Sequence, residues 1–237
     1  MASAPELQSD QAFAALLAAL RTGRLRSSEF LAMPSLAAIL DFPLAPTREA
    51  VKRAEDQALL TILPKRGILI MDAGPEITRA CMDMRATLEK EGLRRLLSIT
   101  QPDLAALRAS HEALLDEAQR QPGSDLSRRA LETDLSLHSF MATGLGNPFL
   151  QQAYEANRNR IAVIQNARTF LADRVISAMQ EHLAIIDALE QGDTDLALAA
   201  VDRHLDQTLR WWGVAIPSRC RDKAGNIALA SGPGGSR

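Results

Sequence analysis

The chain opens polar over residues 1–10 and turns apolar at Gln11–Leu20, where QAFAALLAAL has helical composition and Thr22-Gly23 supplies a stop. A second short helix is predicted after Pro34, through LAAIL, ending near Asp41-Phe42-Pro43. Pro46 suits a first helical turn and opens a third helix, PTREAVKRAEDQALL. There Val51, Ala54 and Ala58 fall on one face, while Arg48 and Lys52 share another. The next stretch, TILPKRGILIMDA, holds two short apolar, β-branched runs around Pro64-Lys65-Arg66-Gly67 and predicts a β-hairpin with a basic tip.

Beyond Pro75 the period is helical throughout. Helices are predicted over residues 77–98, 103–121, 126–144 and 194–212, with one long run from Asn147 to Leu189. Breaks fall at Gln101-Pro102-Asp103, Gln121–Ser124, Gly144–Pro148 and Gln191-Gly192-Asp193. The fold class is therefore mainly α. An N-terminal winged helix-turn-helix, three helices plus a β-hairpin wing, is expected over residues 1–75. An antiparallel all-α bundle is expected over 76–216. The Gly/Ser/Pro-rich stretch from Pro217 to Arg237 reads as a disordered tail.

Composition sharpens this picture only a little. With 4% aromatic residues, the helices must pack mainly through aliphatic side chains. The net charge of −2 does not by itself favour nucleic acid, although a small basic unit fits inside a neutral chain. Cys81 and Cys220 form neither a metal spacing nor a disulfide framework, and suit a reducing compartment. No apolar run approaches a membrane span, and no basic region precedes the first apolar run as in a signal peptide. These features predict a cytoplasmic protein without a membrane partner.

The ordered motifs resemble a known family. Leu36-Ala37, then Ala45-Pro46-Thr47-Arg48-Glu49-Ala50-Val51, then Pro64-Lys65-Arg66-Gly67, resemble the winged helix of GntR-family transcription regulators. Arg85–Glu89, Asp134-Leu-Ser-Leu-His138 with Gly146-Asn147, and Glu181-His182, Gly192-Asp193 and His204-Leu205 resemble the ligand-sensing FCD domain of the FadR-type branch. The resemblance runs from about residue 14 to residue 210. One departure stands out. Pro43-Leu44 occupies the start of the recognition helix, where the family usually carries a polar pair such as Ser-Arg, and Ala45 stands where Thr is common.

Asp134, His138, His182 and His204 form the candidate metal site. Asp134 and His138 lie at i, i+4 and project from one helix face, though such a pair alone is ordinary. His182 lies ten residues before Gly192 and His204 twelve after it. If Gly192-Asp193 turns an antiparallel hairpin, the two climb about 15 and 18 Å and end at similar heights. Three imidazoles and a carboxylate suit a divalent transition metal, with zinc foremost and nickel, manganese or iron also compatible. His111, in SHEALLDEA, lies outside this pattern and is expected on the surface.

The resemblance implies DNA contacts from Thr47, Arg48 and Lys52 on the recognition helix and from Lys65 and Arg66 on the wing. Without it, Arg48, Lys52 and Arg53 read as a solvated face interleaved with Glu49, Glu55 and Asp56. It also implies a small carboxylate effector, with Arg85 as an anchor; a helical ion pair between Arg85 and Glu89 is the competing reading. The function expected is a ligand-responsive, homodimeric regulator on a double-stranded operator, not an enzyme. Two alternatives stay open: a metal-dependent hydrolase-like enzyme, since such a site can activate water, and a helical interaction protein with a decayed DNA-binding half.

Overall fold

A computed structural model describes residues 7–120, 123, 125–168 and 172–214, so the predicted tail at 217–237 lies outside the described residues. The N-terminal part contains α1 (Gln8–Arg21), β1 (Phe30–Leu31), α2 (Met33–Leu40), α3 (Leu44–Asp56), β2 (Leu60–Leu63) and β3 (Gly67–Ile70). Leu16, Leu20, Leu36, Val51, Ile68 and Ile70 close one hydrophobic core between these helices and one face of the sheet. The three antiparallel strands run in the order β1-β3-β2. This is a winged helix-turn-helix, with α3 as the second helix of the motif and β2–β3 as the wing.

The two-residue strand β1 was not predicted; it is too short to show alternation. It pairs with β3 through Phe30↔Leu69 and Leu31↔Ile68. Gly67 makes that pairing possible: its φ is +147°, and a Cβ there would collide with the carbonyl of Leu31. Between Leu63 and Gly67 the wing turns through Pro64, Lys65 and Arg66, with Lys65 in the left-handed region at φ 62°.

Among the described residues, six further helices follow: α4 (Pro75–Ile99), α5 (Ala105–Arg120), α6 (Leu126–Thr143), α7 (Pro148–Asn166), α8 (Ala172–Glu190) and α9 (Thr194–Trp211). They form an antiparallel bundle whose core includes Met82, Leu93, Leu137, Ile164, Ile185 and Leu205. The α8–α9 hairpin turns at Gly192, φ +67°, and Asp193 caps α9 by accepting the Leu196 N–H at 2.9 Å. Among the described residues, no helix is long and apolar enough to cross a membrane.

The predicted run from Asn147 to Leu189 is two helices, not one. No Gly or Pro marks the break; tertiary hydrogen bonds do. Asn166, the last residue of α7, donates its side-chain N–H to the carbonyls of Leu20 and Arg21, at 2.7 and 2.9 Å. Arg168 donates to the Ala73 and Trp212 carbonyls. Further along α7, Arg21 donates to Asn159 at 2.7 Å, and Arg160 donates to the Gln57 carbonyl at 2.8 Å. Val163 of α7 sits in the core of the winged helix. One face of α7 thus fastens the N-terminal unit to the bundle.

Candidate metal centre

Three helices supply the cluster: Asp134 and His138 one turn apart on α6, His182 on α8 and His204 on α9. The hairpin brings His182 and His204 to one level, as their offsets from Gly192 predict, and their ring centroids lie 4.6 Å apart. One ligand atom from each of the four residues lies within 4.8 Å of all the others. Asp134 Oδ1 is 3.6 Å from His138 Nε2 and 3.5 Å from His182 Nε2. Two ligands held about 2.1 Å from one tetrahedral ion sit about 3.4 Å apart, so these separations suit a shared cation.

The buried polar atoms give the sharper test of fit. His138 Nδ1 donates to Glu89 Oε2 at 2.9 Å, and His204 Nδ1 donates to Glu181 Oε2 at 2.7 Å. Each carboxylate thereby fixes a tautomer that turns a bare Nε2 lone pair inward. Both nitrogens of His182, and Nε2 of His138, are buried without a hydrogen-bond partner. Burying one unsatisfied group costs about 1–3 kcal/mol, and a cation at this point would satisfy the inward lone pairs together. The residues present therefore fit a divalent metal.

The surrounding charges prepare the ligands. Burial would raise the Asp134 carboxyl, but His138 and then Arg85 outweigh it and hold the group below its ordinary value. Gln165 adds a hydrogen bond to Asp134 Oδ2 at 3.2 Å. Burial, then the neighbouring imidazoles of His204 and His138, pushes His182 well below the usual histidine range. His204 is lowered chiefly by burial, with the Glu181 hydrogen bond opposing. Glu181 is itself ion-paired to Arg174 at 3.0 Å, and Arg174 also donates to Thr208 at 2.7 Å.

Arg85 forms the helical ion pair with Glu89 that was its competing reading. Its Nε donates to Glu89 at 3.0 Å, while Nη2 lies 3.7 Å from Asp134 Oδ2, buried and without a hydrogen-bond partner. It stands beside the cluster with one donor unused. Glu89, Glu181 and Gln165, which support His138, His204 and Asp134, stand outside the site residues expected from the sequence. Glu89 was legible only as the i, i+4 partner of Arg85, and Glu181 only as the neighbour of His182. Gln165 carried no signal.

His111 corrects the sequence reading. It is 0% exposed, not a surface residue, and its ring centroid lies 5.3 Å from that of His182. A signal for this existed: His111 shares a helical face with Leu107, Leu114 and Ala118, three apolar residues.

On the winged helix, Arg48 and Lys52 are exposed on α3, and Lys65 and Arg66 are exposed at the tip of the wing. Lys52 pairs at 2.9 Å with Glu49, another exposed residue of α3. Thr47 departs from this group. It is 0% exposed, and its hydroxyl donates to the Pro43 carbonyl at 2.8 Å, so it packs the helix start against the core.

Comparison with known proteins bears on the whole arrangement. Residues 80–207, more than half of the chain, match the family model of the FCD domain. None of the curated proteins matches in sequence. Among solved structures, E. coli McbR/YncC aligns with a TM-score of 0.67 at 18% identity, covering 89% of this chain and 97% of that one. A Rhodococcus sp. RHA1 protein described as a GntR transcriptional regulator gives 0.69 at 20% identity, covering 88% and 99%. Lar, described as controlling expression of the Listeria monocytogenes agr system, gives 0.55 at 13% identity, covering 90% and 100%. The chain belongs to the FCD-domain family, here joined to a winged helix as in the GntR-type transcription regulators.

Proposed function

We propose that the protein is a homodimeric, effector-responsive regulator. Residues 1–75 form its DNA-binding domain and 76–216 its metal-containing sensor. The observation that carries this reading is the conjunction of a winged helix that exposes Arg48 on α3 and Lys65 and Arg66 at the wing tip with a buried Asp134/His138/His182/His204 set in the bundle. Arg48 reaches a base edge in the major groove, while Lys52, Lys65 and Arg66 meet phosphates. Leu44, 44% exposed on the first turn of α3, offers apolar contact to a thymine methyl where the family usually presents a polar side chain. The two copies address half-sites of a pseudo-palindrome about one DNA turn apart or less.

Asp134, His138, His182 and His204 hold the metal, zinc foremost. When bound, the ion supplies a Lewis-acidic position for a small carboxylate effector. Asp134 is the most exposed of the four, and a narrow cleft lined by Ala130, Arg174, Val175, Ala178, Met179 and Trp212 reaches it. Arg85, whose unused Nη2 donor lies 3.7 Å from Asp134 Oδ2, anchors the effector. Gln165 and Asn166 are adjacent on α7: the first holds Asp134, and the second holds the end of α1. A shift of Asp134 toward one effector-bound geometry therefore reaches the winged helix through a single helical turn. Such a switch requires the effector to bind one dimer geometry more tightly than the other. With its metal and its DNA, the protein works in the cytoplasm.

The test is enrichment of sheared genomic DNA from the source organism by the wild-type protein and by Arg48→Ala. The wild type should enrich a short pseudo-palindrome, and the variant should bind it about 1–3 kcal/mol more weakly. If neither protein enriches any sequence at moderate salt, with and without added zinc, the regulator reading fails.

A further inference from the structure

The three histidines of the cluster are not supported alike. His138 and His204 each give their outer N–H to a carboxylate. His182, 0% exposed, gives its outer nitrogen to nothing: Nε2 faces Asp134 Oδ1 at 3.5 Å, and Nδ1 is buried without a partner. Behind it stands His111, equally buried, on α5. His111 Nδ1 lies 2.7 Å from the Leu107 carbonyl, which can only accept, so Nδ1 carries the proton and Nε2 is a lone pair. That Nε2 is also buried without a partner. The two rings meet edge-on, 63° apart, with centroids 5.3 Å apart. A linear N–H···N bond of about 2.9 Å between two imidazoles places their centroids about 5.2 Å apart. The centroid spacing matches such a bond, which forms once the rings turn so that the His182 Nδ1–H points at His111 Nε2.

We propose that His111 is a positioning residue of the metal centre: its Nε2 accepts the Nδ1–H of His182 and holds that ring with Nε2 toward the ion. His111 does not itself belong to the set of mutually close ligand atoms, so it stands behind His182 as Glu89 stands behind His138. The proposal rests on the metal reading of the cluster. It adds an uncharged supporting partner, where the other two histidines have anionic ones. The ring of His182 is therefore oriented without another negative charge in the core.

The test uses the full chain, with zinc affinity measured by chelator competition and cobalt substitution read by visible absorption. His111→Phe keeps the ring volume but removes the acceptor. It should weaken zinc binding about 10–100-fold and change the cobalt spectrum, while His111→Gln, which restores an acceptor, should recover most of the loss. A folded His111→Phe variant with affinity within about twofold of the parent and an unchanged cobalt spectrum overturns the proposal. His204→Ala runs beside it. If His204→Ala abolishes binding while His111→Phe does nothing, only the role of His111 falls; if His204→Ala binds zinc like the parent, the metal reading falls with it. Should His111→Phe lose its helical circular dichroism, nitrogen-edited NMR of the zinc-loaded parent decides. A slowly exchanging His182 Nδ1 proton coupled to His111 Nε2 is expected, and its absence overturns the proposal.

Discussion

Glu89 and Glu181 each accept a histidine Nδ1 proton, at 2.9 and 2.7 Å, and each is ion-paired to a buried arginine, Arg85 or Arg174. The arginines make buried carboxylates tolerable, and the carboxylates make the imidazoles good ligands by fixing the tautomer. His138 and His204 thus each end a chain that runs from arginine to carboxylate to histidine. Cutting the middle link should be felt at the ion. Glu89→Gln and Glu181→Gln should each weaken zinc binding by about 10–100-fold in chelator competition, although neither residue touches the metal. Unchanged affinity in both variants would mean that the hydrogen bonds are incidental.

Helices α4 and α6 carry Arg85, Glu89, Asp134 and His138, so their crossing sets the geometry of half the centre. They approach most closely where Gly92 meets the end of α6. A methyl on Gly92 would collide with the carbonyl of Met141, and one on Gly144 with the carbonyl of Gly92. Backbone cannot yield as a side-chain tip does, so Gly92→Ala should lower stability by about 1–3 kcal/mol or more, measured by urea denaturation. A neutral result would show that the helices separate freely at this point. The elements themselves were largely legible, because apolar residues recur with helical period and Pro102, Pro148 and Gly192 punctuate them. The split between α7 and α8 was not, since side chains of Asn166 and Arg168 end α7 through bonds to α1, Ala73 and Trp212. Nor was the burial of Thr47, whose place in the DNA-contact motif suggested exposure. The cluster of four was legible because Asp134 and His138 stand at i, i+4, and offsets from one turn fix the heights of His182 and His204. Its supporting residues were not, because Gln165 and His111 reach the site from α7 and α5, whose docking no local spacing records.

At the scale of the whole molecule, the Asp134/His138/His182/His204 cluster lies in the bundle and the exposed Arg48, Lys65 and Arg66 lie on the winged helix, with α7 bonded to both parts. Gln165 and Asn166 bond Asp134 and the C-terminus of α1 from consecutive residues of that helix. The ion also bears on global stability, since whatever binds only the folded state stabilises it by mass action. Zinc at a hundredfold excess over its Kd adds about 2.7 kcal/mol, or roughly 5–10 °C in Tm for a chain of this size. The most direct measurement is the metal content of the desalted protein, read with its Tm before and after chelation. The structure predicts one ion retained per chain, a fall in Tm on stripping, and loss of both the ion and the Tm shift in Asp134→Ala and His182→Ala. A wild-type chain that takes up no ion from excess zinc, or variants that keep theirs, would contradict the metal centre on which the proposed switch depends.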